Sequence, residues 1–147
     1  MTDPIRLLLA DDQQMVRAGF RLVLDAQPDM SVVGEANDGA EALQLVDELA
    51  PDVVLMDIRM PVLDGLGATE KIMTSHPEAK ILVLTTFDLD EYVHSALRAG
   101  ASGFMLKDAG PTELLAAIRA VRDGDSVVAP SASRRLIERF IPRQGEG

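Results

Sequence analysis

Two patterns of apolar residues alternate along the first 122 positions: short apolar runs, and longer stretches with apolar side chains three or four apart. Ile5 to Ala10 reads Ile-Arg-Leu-Leu-Leu-Ala and predicts a first strand. Gln13 to Ala26 carries Met15, Phe20, Leu22, Val23 and Leu24, the spacing of an amphipathic helix, and Gln27-Pro28-Asp29 stops it. Ser31 to Ala36 is a second strand and Ala40 to Leu49 a second helix, with Asn37 or Asp38 as its cap. Val53 to Met56 is an apolar run ended by Asp57, as expected of a strand buried on both faces. Pro61 and Gly65 then turn the chain into a helix from Leu66 to Ser75, which Asp64 can cap.

The alternation continues. Lys80 to Leu84 is a fourth strand, ending at Thr85-Thr86, and Leu89 to Ala99 a fourth helix, with Gly100 placed to end it. Ser102 to Leu106 is a short fifth strand ending at Lys107. Pro111 opens a fifth helix at its favoured first-turn position, and that helix runs to about Arg122. Five strand–helix alternations imply an α/β fold: a five-stranded parallel sheet with helices on both faces. The expected domain spans residues 4–123. Residues 124–147 read as a linker from Ser126 to Ser133 and a short C-terminal helix, about 131–141. There Leu136, Ile137, Phe140 and Ile141 form one apolar side, and packing of that stripe predicts a homodimer.

Composition narrows the function. At 47% hydrophobic, the 147-residue chain has material for one substantial core. With no Cys, disulfides and thiolate metal sites are ruled out, and His76 and His94 are too far apart in pattern to suggest zinc. Met-Thr-Asp-Pro does not open like a signal peptide, and no apolar run is long enough for a membrane span, so the expectation is a cytoplasmic protein with no membrane partner. Residues 1–129 hold 22 acidic against 10 basic side chains. Such a body repels a phosphate backbone and suits a cation.

Ligands in open α/β sheets bind beyond the carboxyl ends of the strands. Four of the five predicted strands end at or beside a group with chemical capability: Asp11/Asp12, Asp57, Thr85/Thr86 and Lys107. Each has a plainer reading alone, Asp11 or Asp12 as a helix cap, Asp57 as a strand end in water, Lys107 as a surface lysine; their joint placement at one sheet edge favours a site. Three carboxylates repel one another unless a hard cation such as Mg²⁺ joins them. Asp57 is then available as a carboxylate nucleophile toward a phosphoryl group, with Lys107 and the Thr85 hydroxyl balancing the phosphoryl oxygens.

These residues resemble the receiver domain of two-component response regulators. The match rests on Asp11-Asp12, on Met56-Asp57-Ile58-Arg59-Met60-Pro61 with Gly65 following, and on Thr85 and Lys107-Asp108. Leu84-Thr85-Thr86-Phe87-Asp88 and Arg98-Ala99-Gly100-Ala101-Ser102-Gly103-Phe104 further resemble the NarL/FixJ branch. The resemblance implies a flavodoxin-like, doubly wound fold and a signalling protein rather than an enzyme, which takes a phosphoryl group from a sensor histidine kinase on Asp57. It implies Mg²⁺ bound by the side chains of Asp12 and Asp57, by the main-chain carbonyl of Arg59, and by Asp11 mainly through water. It implies Thr85 and Phe104 as the switch pair, Phe104 standing where Tyr is common. It also implies a LuxR-type DNA-binding output domain, which residues 124–147 do not encode, so any contact with DNA would come through that missing domain. Two other readings compete. An aspartate-nucleophile phosphatase of the haloacid dehalogenase type needs a second Asp two residues after the nucleophile, where this chain has Arg59. A phosphorylation-independent scaffold would not need the full set of acidic and Lys groups present here.

Overall fold

The computed structural model describes residues 3–85, 90–107, 109–125 and 127–128; the expected helix at about 131–141 lies outside them. The elements are β1 (Ile5–Ala10), α1 (Gln14–Asp25), β2 (Met30–Ala36), α2 (Gly39–Leu49), β3 (Val53–Asp57), α3 (Gly65–Ser75), β4 (Ile81–Thr85), α4 (Asp90–Arg98), β5 (Gly103–Leu106), α5 (Pro111–Arg122) and β6 (Val127–Val128). All strands pair in parallel, in the order β2-β1-β3-β4-β5-β6. The five expected strands are present, with ends shifted by a residue or so. The difference is β6: Val127 and Val128, read from sequence as linker, add a two-residue edge strand beside Gly103 and Phe104. Among the described residues no helix is long and apolar enough to cross a membrane.

The strand sequences are apolar on both sides because both faces of the sheet are covered. Leu7 and Leu9 of β1, with Val53 and Leu55 of β3, pack against Leu24 of α1 and Leu114, Ile118 and Val121 of α5. Their neighbours Leu8, Ala10, Val54 and Met56 pack on the opposite face against Val46 of α2 and Ile72 of α3. This period of two places α1 and α5 on one side and α2, α3 and α4 on the other. The caps also follow the sequence: the Asp38 carboxylate accepts from the Glu41 N–H, and the Asp64 carboxylate from the Gly67 N–H. Gly100, at φ 104°, closes the turn after α4 with its N–H on the Leu97 carbonyl.

Two irregularities bear on the site. The β1–β2 register slips between Leu7 and Leu8: Leu7 faces Val32, but Leu8 faces Gly34. Val33 is the bulged residue, and every residue after it sits on the face opposite to the one unbroken alternation would give. The second lies between β3 and α3. Val62, 85% exposed, has φ 70°, a left-handed conformation that β-branched residues disfavour. The turn around it is tied at three points: Leu63 N–H to Pro61 O at 2.7 Å, Gly39 N–H to Leu63 O at 2.9 Å and Gly65 N–H to Ile58 O at 2.7 Å.

Gly65 is required there by close approach: a Cβ on it would lie 1.9 Å from the carbonyl oxygen of Asp57. Gly19, in the exposed middle of α1, would meet nothing within 4 Å. The two should therefore respond with opposite sign to alanine. In urea unfolding, Gly65→Ala is expected to lose about 2–3 kcal/mol by overpacking, and Gly19→Ala to gain about 0.5–1 kcal/mol from helix propensity. Equal responses would show that the approach of Gly65 to Asp57 is not a tight one.

Candidate functional site

Neighbouring parallel strands bring their carboxyl ends to one edge, and the polar residues at those ends meet. Asp57 is the last residue of β3 and Thr85 the last of β4, while Asp11 and Lys107 directly follow β1 and β5. The Lys107 N–H donates to the Thr85 carbonyl at 2.7 Å, which continues the β4–β5 ladder by one step and fixes the lysine backbone at the rim. Its ammonium lies 2.6 Å from Asp11 Oδ2 and 3.2 Å from Asp57 Oδ1. Asp11, Asp57 and Thr85 are buried, whereas Asp12 is exposed.

Carboxylate oxygens of Asp11, Asp12 and Asp57 all lie within 4.8 Å of one another. This hard, all-oxygen donor set with an exposed member suits a divalent cation such as Mg²⁺. Arg59, two residues beyond Asp57, shares with Asp12, Met60 and Asp64 the lining of an open depression of about 500 Å³ beside the cluster. The alternative in which Asp11 or Asp12 caps α1 does not hold in its simple form. Gln13 occupies the N-cap position with no side-chain cap, and Asp11 Oδ1 instead accepts from the Gln13 N–H at 2.8 Å.

Burial and the neighbouring charges both show in the ionisation of the site. Burial is the main cause that raises the Asp57 carboxyl from 3.8 to about 6; Lys107 opposes it, and Asp11 and Asp12 add to it. For Lys107, burial disfavours the ammonium most, but the hydrogen bond to Asp11 and the attraction of both aspartates outweigh it and hold its pKa above the ordinary lysine value.

Phe104 does not join the polar cluster. It is fully buried in the core on the α2–α3–α4 side and pairs with Val83 in register, so Thr85 follows Val83 on the same face of the sheet, one step nearer the rim. Thr86 and Asp108 lie outside the described residues. His76 stands at the far end of the sheet, 3.3 Å from Asp47, away from the carboxylates.

The sequence reading missed two residues that touch the site's frame. Arg17 of α1 is buried; it donates to the Asp11 carbonyl and, at 2.9 Å, to Glu35 Oε1. The signal was a charge in the core-facing stripe of α1, three residues before Phe20 and seven before Leu24. Glu35 had no signal, because its face is set by the Val33 bulge.

The family model for the response regulator receiver domain matches residues 7–119. The chain is 48% identical over 143 residues to the uncharacterized transcriptional regulatory protein YxjL of Bacillus subtilis, covering 97% of this chain and 66% of that protein. The chain thus spans about 66% of the length of the curated relatives it matches. Among solved structures, a LuxR-family two-component response regulator from Aurantimonas sp. SI85-9A1 superposes with a TM-score of 0.89 at 34% identity, covering 95% of this chain and 99% of that one. The signal receiver domain of the putative response regulator NarL from Mycobacterium tuberculosis gives 0.81 at 35% identity, covering 84% and 99%.

The raised Asp57 pKa has a consequence for stability. In the unfolded chain Asp57 ionises near the ordinary value of 3.8, but in the folded chain near 6. Ionisation therefore costs more in the folded state, so Asp57 lowers stability progressively as pH rises from about 4 to about 6, and fully above that. That difference corresponds to about 3 kcal/mol at most. With divalent cations chelated, Asp57→Asn is expected to raise the unfolding free energy by about 1–3 kcal/mol at pH 7.5, and to leave it nearly unchanged at pH 4. A gain that is the same at both pH values would contradict the raised pKa.

Proposed function

The chain belongs to the response regulator receiver domain family, and on that premise we propose that Asp57 is its phospho-acceptor, with Asp11, Asp12, Arg59, Thr85 and Lys107 as the surrounding machinery. The observation that carries the reading is the buried Asp57 carboxylate beside one ammonium and two further carboxylates at the carboxyl edge of the sheet. Near neutral pH Asp57 is mainly ionised, as an attacking oxygen must be. It attacks the phosphorus of a phosphohistidine on a sensor kinase: the new P–O bond forms as the P–N bond breaks, and the imidazole nitrogen leaves with the electron pair.

The chain's own residues then supply position and charge. Asp12 and Asp57 by their carboxylates and Arg59 by its main-chain carbonyl would hold Mg²⁺, with Asp11 reaching it mainly through water. When bound, that ion neutralises carboxylate and phosphoryl charge. Lys107, which pairs with Asp11 and Asp57, turns toward a phosphoryl oxygen while keeping Asp11. The Thr85 hydroxyl donates to another. These groups stabilise the acyl phosphate, and the chain catalyses only its own phosphoryl transfer and slow hydrolysis. The phosphatase alternative lacks its acid/base, Arg59 standing in that place.

Signal leaves the site through the β4–β5 face. A phosphoryl group adds roughly two negative charges at pH 7 and draws Thr85 toward the rim. Phe104, next on that face toward the core and already inward in this structure, then keeps that position over any outward one. Having no hydroxyl, it transmits the change by packing alone. Coupling of this kind is typically about 1–3 kcal/mol. In a regulator as long as the curated relatives, the altered face would favour a homodimer and control a DNA-binding output domain.

Incubation with acetyl phosphate and Mg²⁺, followed by intact mass, is expected to add one phosphoryl group to the wild-type chain and none to Asp57→Asn. Equal label on the Asn variant would refute the acceptor assignment. In the same samples, the Phe104 ring signals should shift on phosphorylation in the wild type alone, and sedimentation should move toward dimer. Ring signals indifferent to the label would remove Phe104 from the switch.

A further inference from the structure

Burying a guanidinium beside a cation site is counterintuitive, because its charge opposes the ion. Arg17 is nevertheless 7% exposed and faces the core side of α1. It also lines, with Asp11, Asp57, Phe20 and Leu55, a small pocket of about 10 Å³. Its one bond to the site goes to a main-chain carbonyl, that of Asp11, and not to a carboxylate of the cluster. Its other bond goes to Glu35 Oε1 at 2.9 Å, and Glu35 Oε2 takes Arg21 at 2.6 Å. Burial acts most strongly on Glu35 by raising its pKa, but Arg21 and Arg17 overcome this and keep it below the ordinary carboxylate range.

Glu35 can reach Arg17 because of the bulge at Val33. Opposite Leu7, Val32 faces α1 and α5; unbroken alternation would put Glu35 on the other side of the sheet. The slip pairs Glu35 with Leu9, whose side chain is in the α1–α5 core, and so returns the carboxylate to the face where Arg17 lies. Bulges commonly re-aim a side chain next to an active site.

Asp11 is thereby tied at four points. Its N–H donates to the Ala36 carbonyl at 3.0 Å. Its Oδ1 accepts from the Gln13 N–H at 2.8 Å and its Oδ2 from Lys107 at 2.6 Å. Its carbonyl, the link to Asp12, accepts from Arg17. We propose that Arg17 is a positioning residue for the cation site: held by Glu35, it fixes the peptide between Asp11 and Asp12 and so sets where both carboxylates stand. This rests on the reading of the acidic cluster as a Mg²⁺ site.

Charge and position predict opposite signs, which makes the proposal testable. If Arg17 acted only as a nearby positive charge, removing it would tighten Mg²⁺ binding. If it positions the carboxylates, removing it weakens binding, and loss of such an outer contact typically costs about 10–100-fold in metal affinity. The experiment is a Mg²⁺ titration of the full chain followed by amide NMR shifts, for wild type, Arg17→Met, Arg17→Lys and Arg21→Met. Arg17→Met keeps the apolar stem and is expected to weaken Mg²⁺ about tenfold or more. Arg17→Lys keeps the charge without the two-way fork and should fall between it and wild type. Arg21→Met also loses a bond to Glu35 but not one to Asp11, and should leave the affinity unchanged. Equal or tighter binding by Arg17→Met overturns the proposal, and if that variant does not fold, the same result for Arg17→Lys overturns it. Equal weakening by Arg21→Met also overturns it, since general loss of charge pairing then suffices. A wild-type chain that binds no Mg²⁺ overturns the metal reading and this proposal together, whereas binding by wild type that Arg17 variants do not alter overturns this proposal alone.

Discussion

Lys107 stands 2.6 Å from one buried aspartate and 3.2 Å from another, and it is the only ammonium among the described residues that pairs with them. One positive charge does not balance Asp11, Asp57 and the adjacent Asp12. Burial of the Asp57 carboxylate is costly, the neighbouring aspartates add to that cost, and it appears as a raised pKa that Lys107 only partly offsets. The same imbalance makes the edge attractive to a divalent ion and leaves Lys107 free to exchange one partner for another. Poor electrostatics in the isolated fold and chemical capability at the rim therefore have one origin.

The sheet order explains why the groups meet. Asp11, Asp57, Thr85 and Lys107 are far apart in sequence but sit at the ends of β1, β3, β4 and β5, which are consecutive in the sheet. β2 lies outside β1, so the connections after β1 and after β3 run in opposite directions and leave a crevice between them. α1 covers one face and α2 the other.

Most of this was legible in the sequence for a physical reason. Strands buried on both faces must be apolar throughout, so the first polar residue after each run marks the sheet edge, as at Asp11, Asp57 and Lys107. Caps at Asp38 and Asp64 were legible because the interaction is local. Other features depend on contacts between distant segments. β6 is two residues long and is defined only by its neighbour β5. The bulge at Val33 leaves no trace in a run of apolar residues, so in the sequence the second strand, ending at Glu35 or Ala36, offers less than the other strand ends. Arg17 could be seen as a charge in an apolar stripe, but its partner could not.

The left-handed turn at Val62 gives the rim an uneven mechanical character. That conformation costs a β-branched residue on the order of 1–2 kcal/mol, and the exposed side chain returns little by burial. The turn holds its shape through the bonds around Pro61, Leu63, Gly39 and Gly65, so the strain is subtracted from the local free energy that keeps this segment closed. Lys107 and Asp11, by contrast, are braced on strands inside the sheet. Fluctuations that expose Asp57 should therefore begin on the Arg59 side, at an opening energy well below that of global unfolding. The strained side is also the side of the open depression. An ion or partner arriving through that depression would meet the strained wall first, while the opposing wall holds Asp11 and Lys107 on the sheet.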